Sequence, residues 1–171
     1  EEGKILKCTI DAVQAKVGFN NSGMLTTDLG EQFPTKQELG EKYTMKGASA
    51  IGKEWNEQAD AFAAYCVGKS TDEIAGIAVT EEGTAADADL AASCTIHIGG
   101  LQAAGTAAVD NASNLGANAS DKLGLGVTTN VSQSTDAGEK DGTAVPYVTV
   151  CALTVNDKNV ISSSVIDAVQ A

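Results

Sequence analysis

Four cysteines and one histidine are the side chains best suited to catalysis or metal binding, and their spacing argues against both. The cysteines are Cys8, Cys66, Cys94 and Cys151. No two of them have the Cys-x-x-Cys spacing of zinc or thioredoxin-like sites. His97 is the only histidine, so no Ser–His–Asp or Cys–His arrangement is indicated. The acidic residues are scattered, so no carboxylate pair for acid–base catalysis stands out. The sequence therefore predicts no catalytic and no metal site, and we do not expect an enzyme.

The last six residues repeat a stretch near the beginning of the chain. IDAVQA occupies residues 10–15 and again 166–171, an offset of 166 − 10 = 156 residues. At that offset EEGKILKCTIDAVQA lies over DKNVISSSVIDAVQA, with acidic turn residues before Ile5 and before Ile161. A period this long is typical of tandem copies of a whole domain rather than of a solenoid.

The repeat predicts where the modules begin and end. We expect residues 1–118 to form the body of one module. Residues 119–171 would be a connector and the first hairpin of the next copy, or strands that complete the same module by permutation or exchange. The chain opens on EEGKILKCTI without an initiator Met, which favours a mature or excised piece of something longer.

A predicted hairpin near the C-terminal end connects the repeat to the cysteines. VPYVTVCALTV is rich in β-branched residues, NDKN suits a loop, and VISSSVIDAV would return as the second strand. In this hairpin Cys151 faces Ser164, which corresponds to Cys8 at the offset of 156. A strand of residues 1–11 that replaced the second strand would therefore allow a Cys8–Cys151 disulfide, between neighbouring molecules or within a circularly permuted chain. The alternative is that both are small buried strand residues.

Apolar spacing predicts two main helices. The first covers about residues 48–67, is ended by Gly68 and carries a continuous apolar stripe with the period of a helix. The stripe consists of Trp55, Ala59, Phe62 and Cys66. The second covers about residues 96–112, and its predicted buried side consists of Leu101, Ala104 and Ala108. The sequence leaves open whether Cys66 and Cys94, which fall on different helical segments, form a disulfide.

Shorter patterns complete the predicted architecture. Thr35 with Glu38, and Ser70 with Glu73, have capping-box spacing and predict two short helices. NNSG predicts a turn between a strand over residues 10–19 and a second strand at MLTTDL. Strands followed by helices and then by strands indicate an α+β fold, an antiparallel sheet with two main helices packed on it.

The order of these elements is similar to that of the FMN-binding domain family, the covalent flavin modules of bacterial redox complexes and surface flavoproteins. The resemblance lies in GKI, a strand ending in Asp, a Trp-bearing helix, GK and DADLAASCTIHIGGLQAAGTAAVDNA. The mark of the family is Asp-x-x-Ser/Thr-Gly-Ala-Thr, whose Thr hydroxyl is joined to FMN. Asp89 and Thr95 take the Asp and Thr positions of that motif, and Ser93 stands where the family has Gly. The resemblance thus implies a cofactor site for FMN at Asp89, Ser93 and Thr95.

Each of these residues also has a structural interpretation. Thr95 fits a flavin anchor or the beginning of a helix, and Asp89 fits a modification motif or a helix cap. His97 suits a packed or solvated helix residue better than a catalyst. Trp55 fits either a ring stacked on flavin or the core of its helix.

Composition narrows the class of protein. The chain has 23 acidic and 11 basic residues, a formal net charge of −12, which disfavours binding to nucleic acid or to an anionic membrane surface. Its acidity favours an extracellular protein of the bacterial cell surface. We expect a structural module that assembles with copies of itself by strand pairing; the alternative is an FMN-carrying electron-transfer module. A carbohydrate-binding module is disfavoured by the small number of aromatic residues.

Overall fold

The computed structural model describes residues 3–171 and combines short helices with a three-stranded antiparallel sheet, which confirms the predicted α+β class. In chain order the elements are α1 (Lys36–Leu39), a 3₁₀ helix (Gly40–Tyr43), α2 (Trp55–Cys66), α3 (Thr71–Ala75), α4 (Ala88–Ala91), α5 (Gly99–Asp110), β1 (Lys122–Asn130), β2 (Tyr147–Val155) and β3 (Ile161–Gln170). Glu1 and Glu2, part of the predicted 1–11 strand, lie outside the described residues. Within residues 3–171, no helix has the length and apolar character needed to cross a membrane.

Both predicted capping boxes are present. At α1, the Thr35 hydroxyl accepts from Glu38 N at 3.1 Å and the Glu38 carboxylate accepts from Thr35 N at 2.8 Å. Ser70 and Glu73 make the same exchange before α3. Each box satisfies two backbone N–H groups that a helix start leaves without partners.

Helix α2 begins at Trp55, so the prediction of a start near residue 48 is wrong. The reason is Glu54, whose carboxylate accepts from Met45 N at 2.8 Å and from Lys46 N at 3.1 Å and so holds the preceding residues in turns. The predicted apolar stripe of α2 is buried and forms the centre of the core. The stripe packs with Ile74, Leu90, Cys94, Ile96 and Ile98.

Helix α5 runs from Gly99 to Asp110, and its predicted buried side is only partly right. Leu101 is half-buried, whereas Ala104 and Ala108 are exposed. The polar Gln102 sets the orientation, because its Nε2 donates to Ile74 O at 2.9 Å and to Ile77 O at 3.0 Å.

The predicted strand over residues 10–19 is wrong. Only Phe19 pairs, with Leu25, across the turn that NNSG was expected to form. That turn is confirmed: Gly23 N donates to Asn20 O at 2.9 Å, and Gly23 has φ 76°. Residues 10–12 bond to α1 instead of to a strand, whereas Gly18 exchanges single hydrogen bonds with Thr26 and Thr27.

The predicted C-terminal hairpin is present as β2 and β3, and β1 pairs with the other edge of β2. Its register differs by two residues from the predicted one: Cys151 lies opposite Ile166, and Leu153 lies opposite Ser164. One residue of the difference arises at the turn, because Val155 lies opposite Ile161 and not Val160, and the other at a bulge that accommodates the extra residue Ser162. Strand β1 begins at Lys122, inside the stretch expected to be an irregular connector.

Helices pack on helices in the described part of the chain: α1 and α4 contact α2, and α3 contacts α5. The predicted packing of the two main helices on the sheet is not confirmed. The sheet is tied to the rest of the chain through loops. Phe33 N donates to Thr129 Oγ1 at 2.8 Å, and Lys7 Nζ donates to Asp121 O.

Candidate assembly site

The extended residues 5–15, here called the N-terminal segment, lie against residues 35–110, here called the helical body. The end of the segment nearest the N-terminus is held between two backbone hydrogen bonds, from Ile5 N to Lys69 O at 2.9 Å and from Gly68 N to Ile5 O at 2.8 Å. Four of its side chains pack against the buried core. These are Ile5, Cys8, Ile10 and Ala12.

The other end of the segment caps α1. Lys36 N donates to Ala12 O at 2.7 Å, and Gln37 Nε2 donates to Ile10 O at 3.0 Å. Asp11 Oδ1 accepts from Gln37 N at 3.1 Å. The segment therefore supplies acceptors to N–H groups that the first turn of a helix cannot pair internally.

An ion pair adds to this docking. Lys4 Nζ lies 2.5 Å from the Glu73 carboxylate at the start of α3. The hydrogen bond from Lys4, aided by backbone and hydroxyl donors of Ser70, lowers the pKa of Glu73 to about 2. The pair is exposed, so its contribution to stability is modest near neutral pH.

Where the segment crosses α2, Cys8 packs against the core cluster that contains Cys66. A hydrogen bond from Cys66 lowers the pKa of Cys8, and the same contact together with burial raises the pKa of Cys66. Burial also raises the pKa of Cys94, which belongs to the same core cluster as Cys66. The thiolate that reacts with an oxidant is therefore expected on Cys8.

Residues 161–171, here called the matching segment, share Ile161 and IDAVQA with the N-terminal segment at the offset of 156 but have a different environment. They form β3, an edge of the sheet, and not a layer against helices. Ile161 is 58% exposed, Ile166 69% and Val169 62%. The same apolar residues thus lie against the core in one copy and in solvent in the other.

Cys151 and Cys8 are not neighbours in this arrangement. Cys151 Sγ lies 3.8 Å from Ser164 Oγ within the hairpin, and Cys8 contacts Cys66. All four cysteines are free thiols. The Cys8–Cys151 disulfide within one chain therefore finds no support in the hairpin pairing, and between copies it stays a prediction.

The three residues predicted to hold FMN have separate structural surroundings. Thr95 donates from N at 2.8 Å and from Oγ1 at 3.0 Å to Oε1 of the buried Gln58. Ser93 Oγ donates to Leu90 O at 3.2 Å. Asp89 is exposed in the first turn of α4, and the cap of that helix is Asp87. Thr95 does not fit a phosphoester anchor here, because esterification would remove its hydroxyl proton from the bond to Gln58.

A groove of about 500 Å³ lies elsewhere on the helical body. Lys69 Nζ stands 4.0 Å from the centre of the Tyr65 ring in this groove, and Glu73 and Asp87 add carboxylates. Burial, with Asp87 next in effect, raises the pKa of Tyr65. None of the residues predicted to hold FMN lines it.

Trp55 and His97 are the other two residues for which the sequence allows both a functional and a structural interpretation. Trp55 is buried in the core cluster, with Lys36 Nζ 5.0 Å from the centre of its ring. His97 is exposed in the loop before α5. Within residues 3–171, no three His, Cys, Asp or Glu side chains gather as metal ligands.

Sequence reasoning missed Gln58 and Gln37. Gln58 directly precedes a stripe residue of α2, and Gln37 follows a capping Thr by two positions; neither position signals a long-range hydrogen bond. Glu54, in contrast, had a signal, because Glu57 follows it at capping-box spacing.

No protein-family model, curated protein or solved structure matches the chain. The resemblance to the FMN-binding domain family therefore stays a prediction.

Proposed function

We propose that the chain is a non-catalytic structural module of an extracellular bacterial surface protein, and that copies of it join through their strands. One observation carries the proposal: IDAVQA lies against the helices as residues 10–15 and on an open sheet edge as residues 166–171. An exposed edge with large apolar side chains favours pairing with another chain. The acidic composition is the support for an extracellular location.

A tandem arrangement of modules belongs to the same proposal. Gly3, with φ 71°, and Asn159, with φ 58°, stand at equivalent positions at the offset of 156. Left-handed backbone is uncommon outside glycine, so its occurrence before both segments supports a shared turn. In such an array the two main helices of one copy would pack on the sheet of another, which is the packing predicted from the order of elements in the sequence.

Sedimentation analysis tests the proposal. We expect the average mass to rise as the concentration of the chain increases from about 1 µM to about 1 mM, the range in which exchange between copies competes with contacts inside one copy. Val165→Lys on β3 should lower this association, because a charged edge disfavours pairing. Val79→Lys is the matched control, since Val79 is similarly exposed, 48% against 54%, but lies in the helical body. A chain that stays monomeric throughout would contradict the proposal.

A further inference from the structure

The matching segment carries the groups by which the N-terminal segment holds the helical body. Asp11 Oδ1 accepts from Ala12 N at 2.7 Å, and Asp167 Oδ1 accepts from Ala168 N at 2.8 Å, so the two copies share this local conformation. At the offset of 156, the apolar docking residues Ile5, Ile10 and Ala12 correspond to Ile161, Ile166 and Ala168.

The backbone of β3 presents the required carbonyl groups to its free edge. Ala171 N donates to Pro146 O at 3.1 Å. In an antiparallel ladder, alternate residues counted back from Ala171 therefore direct their N–H and C=O groups towards β2. The intervening residues, which include Ile166 and Ala168, direct theirs away from the sheet. In the N-terminal segment, the carbonyls at these two positions are the ones that α1 binds.

The bulge places the apolar side chains in the correct spacing. Val155 pairs with Ile161 and Thr154 pairs with Ser163, so the bulge at Ser162 changes the alternation of faces. As a result Ile161 shares a face of the sheet with every second residue from position 164 onwards. That face presents Ile161, Ser164, Ile166 and Ala168. Its intervals of three, two and two residues are those of the four docking side chains of the N-terminal segment.

We propose that β3 of one copy binds the helical body of a second copy, where it replaces that copy's N-terminal segment. The inference rests on the proposed assembly function and specifies the two surfaces that meet. One is the outer edge of β3 with its Ile161–Ala168 face, and the other is the start of α1 with the residues around Lys69. Because β3 keeps its bonds to β2, only the N-terminal segment of the second copy has to leave. Each copy offers one of each surface, so the contact joins copies head to tail.

The N-terminal segment has advantages within its own chain. Lys4, directly before the segment, pairs with Glu73, and Cys8 interacts with Cys66, whereas the equivalent positions at the offset of 156 are Val160 and Ser164. Its covalent connection also gives it an effective concentration on the order of 1 mM. Exchange is therefore favoured only where copies are crowded.

Moving one thiol tests the contact. In a background of Cys8→Ser and Cys151→Ser, Ser164→Cys places a thiol where it would meet Cys66 of a second copy. Cys151 is removed because it lies 3.8 Å from Ser164 and would capture the new thiol. Ser163→Cys in the same background is the control, since position 163 lies on the opposite face. Diamide would take up two electrons and two protons as each pair of thiols forms a disulfide.

We expect Ser164→Cys to give disulfide-linked dimers and longer chains at about 1 mM, and Ser163→Cys to give about tenfold less. Peptide mass mapping of the linked bands should join position 164 to Cys66. The two copies of one isoleucine provide a second comparison. Ile10→Asp should raise the yield of linked product about tenfold by weakening the competing segment, and Ile166→Asp should abolish it. If Ile10→Asp unfolds the chain, Lys4→Ala weakens the same segment more gently.

The outcomes separate the inference from the function on which it rests. Oligomers that form without a link between position 164 and Cys66, and that tolerate Ile166→Asp, would overturn the inference and leave assembly by another strand contact. A chain that is monomeric at all concentrations and gives no linked product would overturn both. A link from position 163 equal in yield to that from position 164 would also overturn the inference, because it would show random collision.

Discussion

At the scale of single residues, Gln58 fixes the position and the hydrogen bonds of Thr95. Gln58 is fully buried in α2 and uses both ends of its amide. Oε1 accepts two hydrogen bonds from Thr95, and Nε2 donates to Ser49 Oγ at 3.2 Å and to Lys53 O at 3.0 Å. A buried amide left without partners is costly, so this network holds Thr95 in place.

We therefore expect the purified chain to be colourless and to have its unmodified mass. The hydroxyl of Thr95 is bonded to Gln58, so it is not free to carry a phosphoester. Intact mass and an absorbance spectrum of the non-denatured protein check this. A mass gain of one FMN phosphoester, carried by the peptide with Thr95 and lost in Thr95→Val, would establish the electron-carrier function instead.

The Cys8 and Cys66 thiols lead to a prediction about oxidation. Diamide should join them, because they are in contact and the Cys8 thiol has the lowered pKa. The bond would close a loop of about 60 residues, which stabilises the folded chain by about 4 kcal/mol in the chain-entropy model. Peptide mapping and urea unfolding with and without oxidation measure the link and its effect.

Cys94→Ser is the control for that experiment, since Cys94 affects neither the pKa of Cys8 nor that of Cys66 and its replacement should leave the link intact. A disulfide between Cys8 and Cys151 of two copies, with Cys66 still free, would contradict the expected pairing.

At the scale of elements, the N-terminal segment takes the place of a strand without being one. It satisfies the start of α1, covers α2 and reaches α3 through the pair of Lys4 with Glu73. Of these helices, α1 has four residues and α3 has five, and helices of that length are not stable alone. We infer that α1 and α3 lose their order when the segment leaves.

The Glu73 carboxylate makes this docking depend on pH. Its pKa falls from an ordinary value of 4.5 to about 2 in the folded chain, chiefly through the hydrogen bond from Lys4. Because the pKa of Glu73 is lower in the folded chain than in the unfolded chain, this carboxylate stabilises the fold at every pH above its unfolded-state pKa. The stabilisation is lost as the pH falls from about 4.5 towards 2. Lys4→Ala should therefore reduce the loss of unfolding free energy over that range.

Urea unfolding followed by circular dichroism at several pH values between about 2 and 6 measures this difference. Lys42→Ala removes the same charge from an exposed position of the 3₁₀ helix and serves as the control. Equal acid sensitivity in Lys4→Ala and the unchanged chain would show that other carboxylates control acid unfolding.

Local signals predicted the elements well, and long-range contacts account for the errors. The capping residues Thr35 and Ser70 act within one turn, and the stripe of α2 follows from helix geometry, so both were visible in the sequence. Residues 10–19 alternate like a strand, but Ile10, Asp11 and Ala12 bond to α1, which lies far along the chain. The register of β3 depends on the length of its turn and on the bulged residue Ser162, which no local pattern marks.

The candidate site was predictable in part. The repeat at the offset of 156 pointed to residues 5–15 and 161–171 and to exchange between them. It could not show that the first copy docks on helices, because that requires Lys36 and Lys69 to approach it in space. Cys8 was matched to Cys151 through an assumed strand pairing, whereas the structure places it beside Cys66.

At the scale of the whole molecule, charge opposes assembly. Each copy carries a formal net charge of −12 at pH 7, so copies repel one another at low ionic strength. We expect association to strengthen as NaCl rises from about 10 mM to about 150 mM, because the screening length falls from about 30 Å to about 8 Å. Sedimentation at fixed pH and protein concentration measures this. Association that weakens with salt would indicate joining through ion pairs instead of the apolar face of β3.

The hydrogen bond from Ala171 to Pro146 also determines how the chain would respond to tension. The ends of β2 and β3 lie side by side there, so a pull on residue 171 away from residue 146 loads the ladder at one end. The hydrogen bonds between β2 and β3 would then break in sequence, one pair after another, and not all at once. If the helical body of a second copy were bound along the outer edge of β3, it would have to dissociate as β3 separates from β2. The contact between copies would thus strengthen the pairing of β2 with β3, which is the part of each module that opens first under this pull.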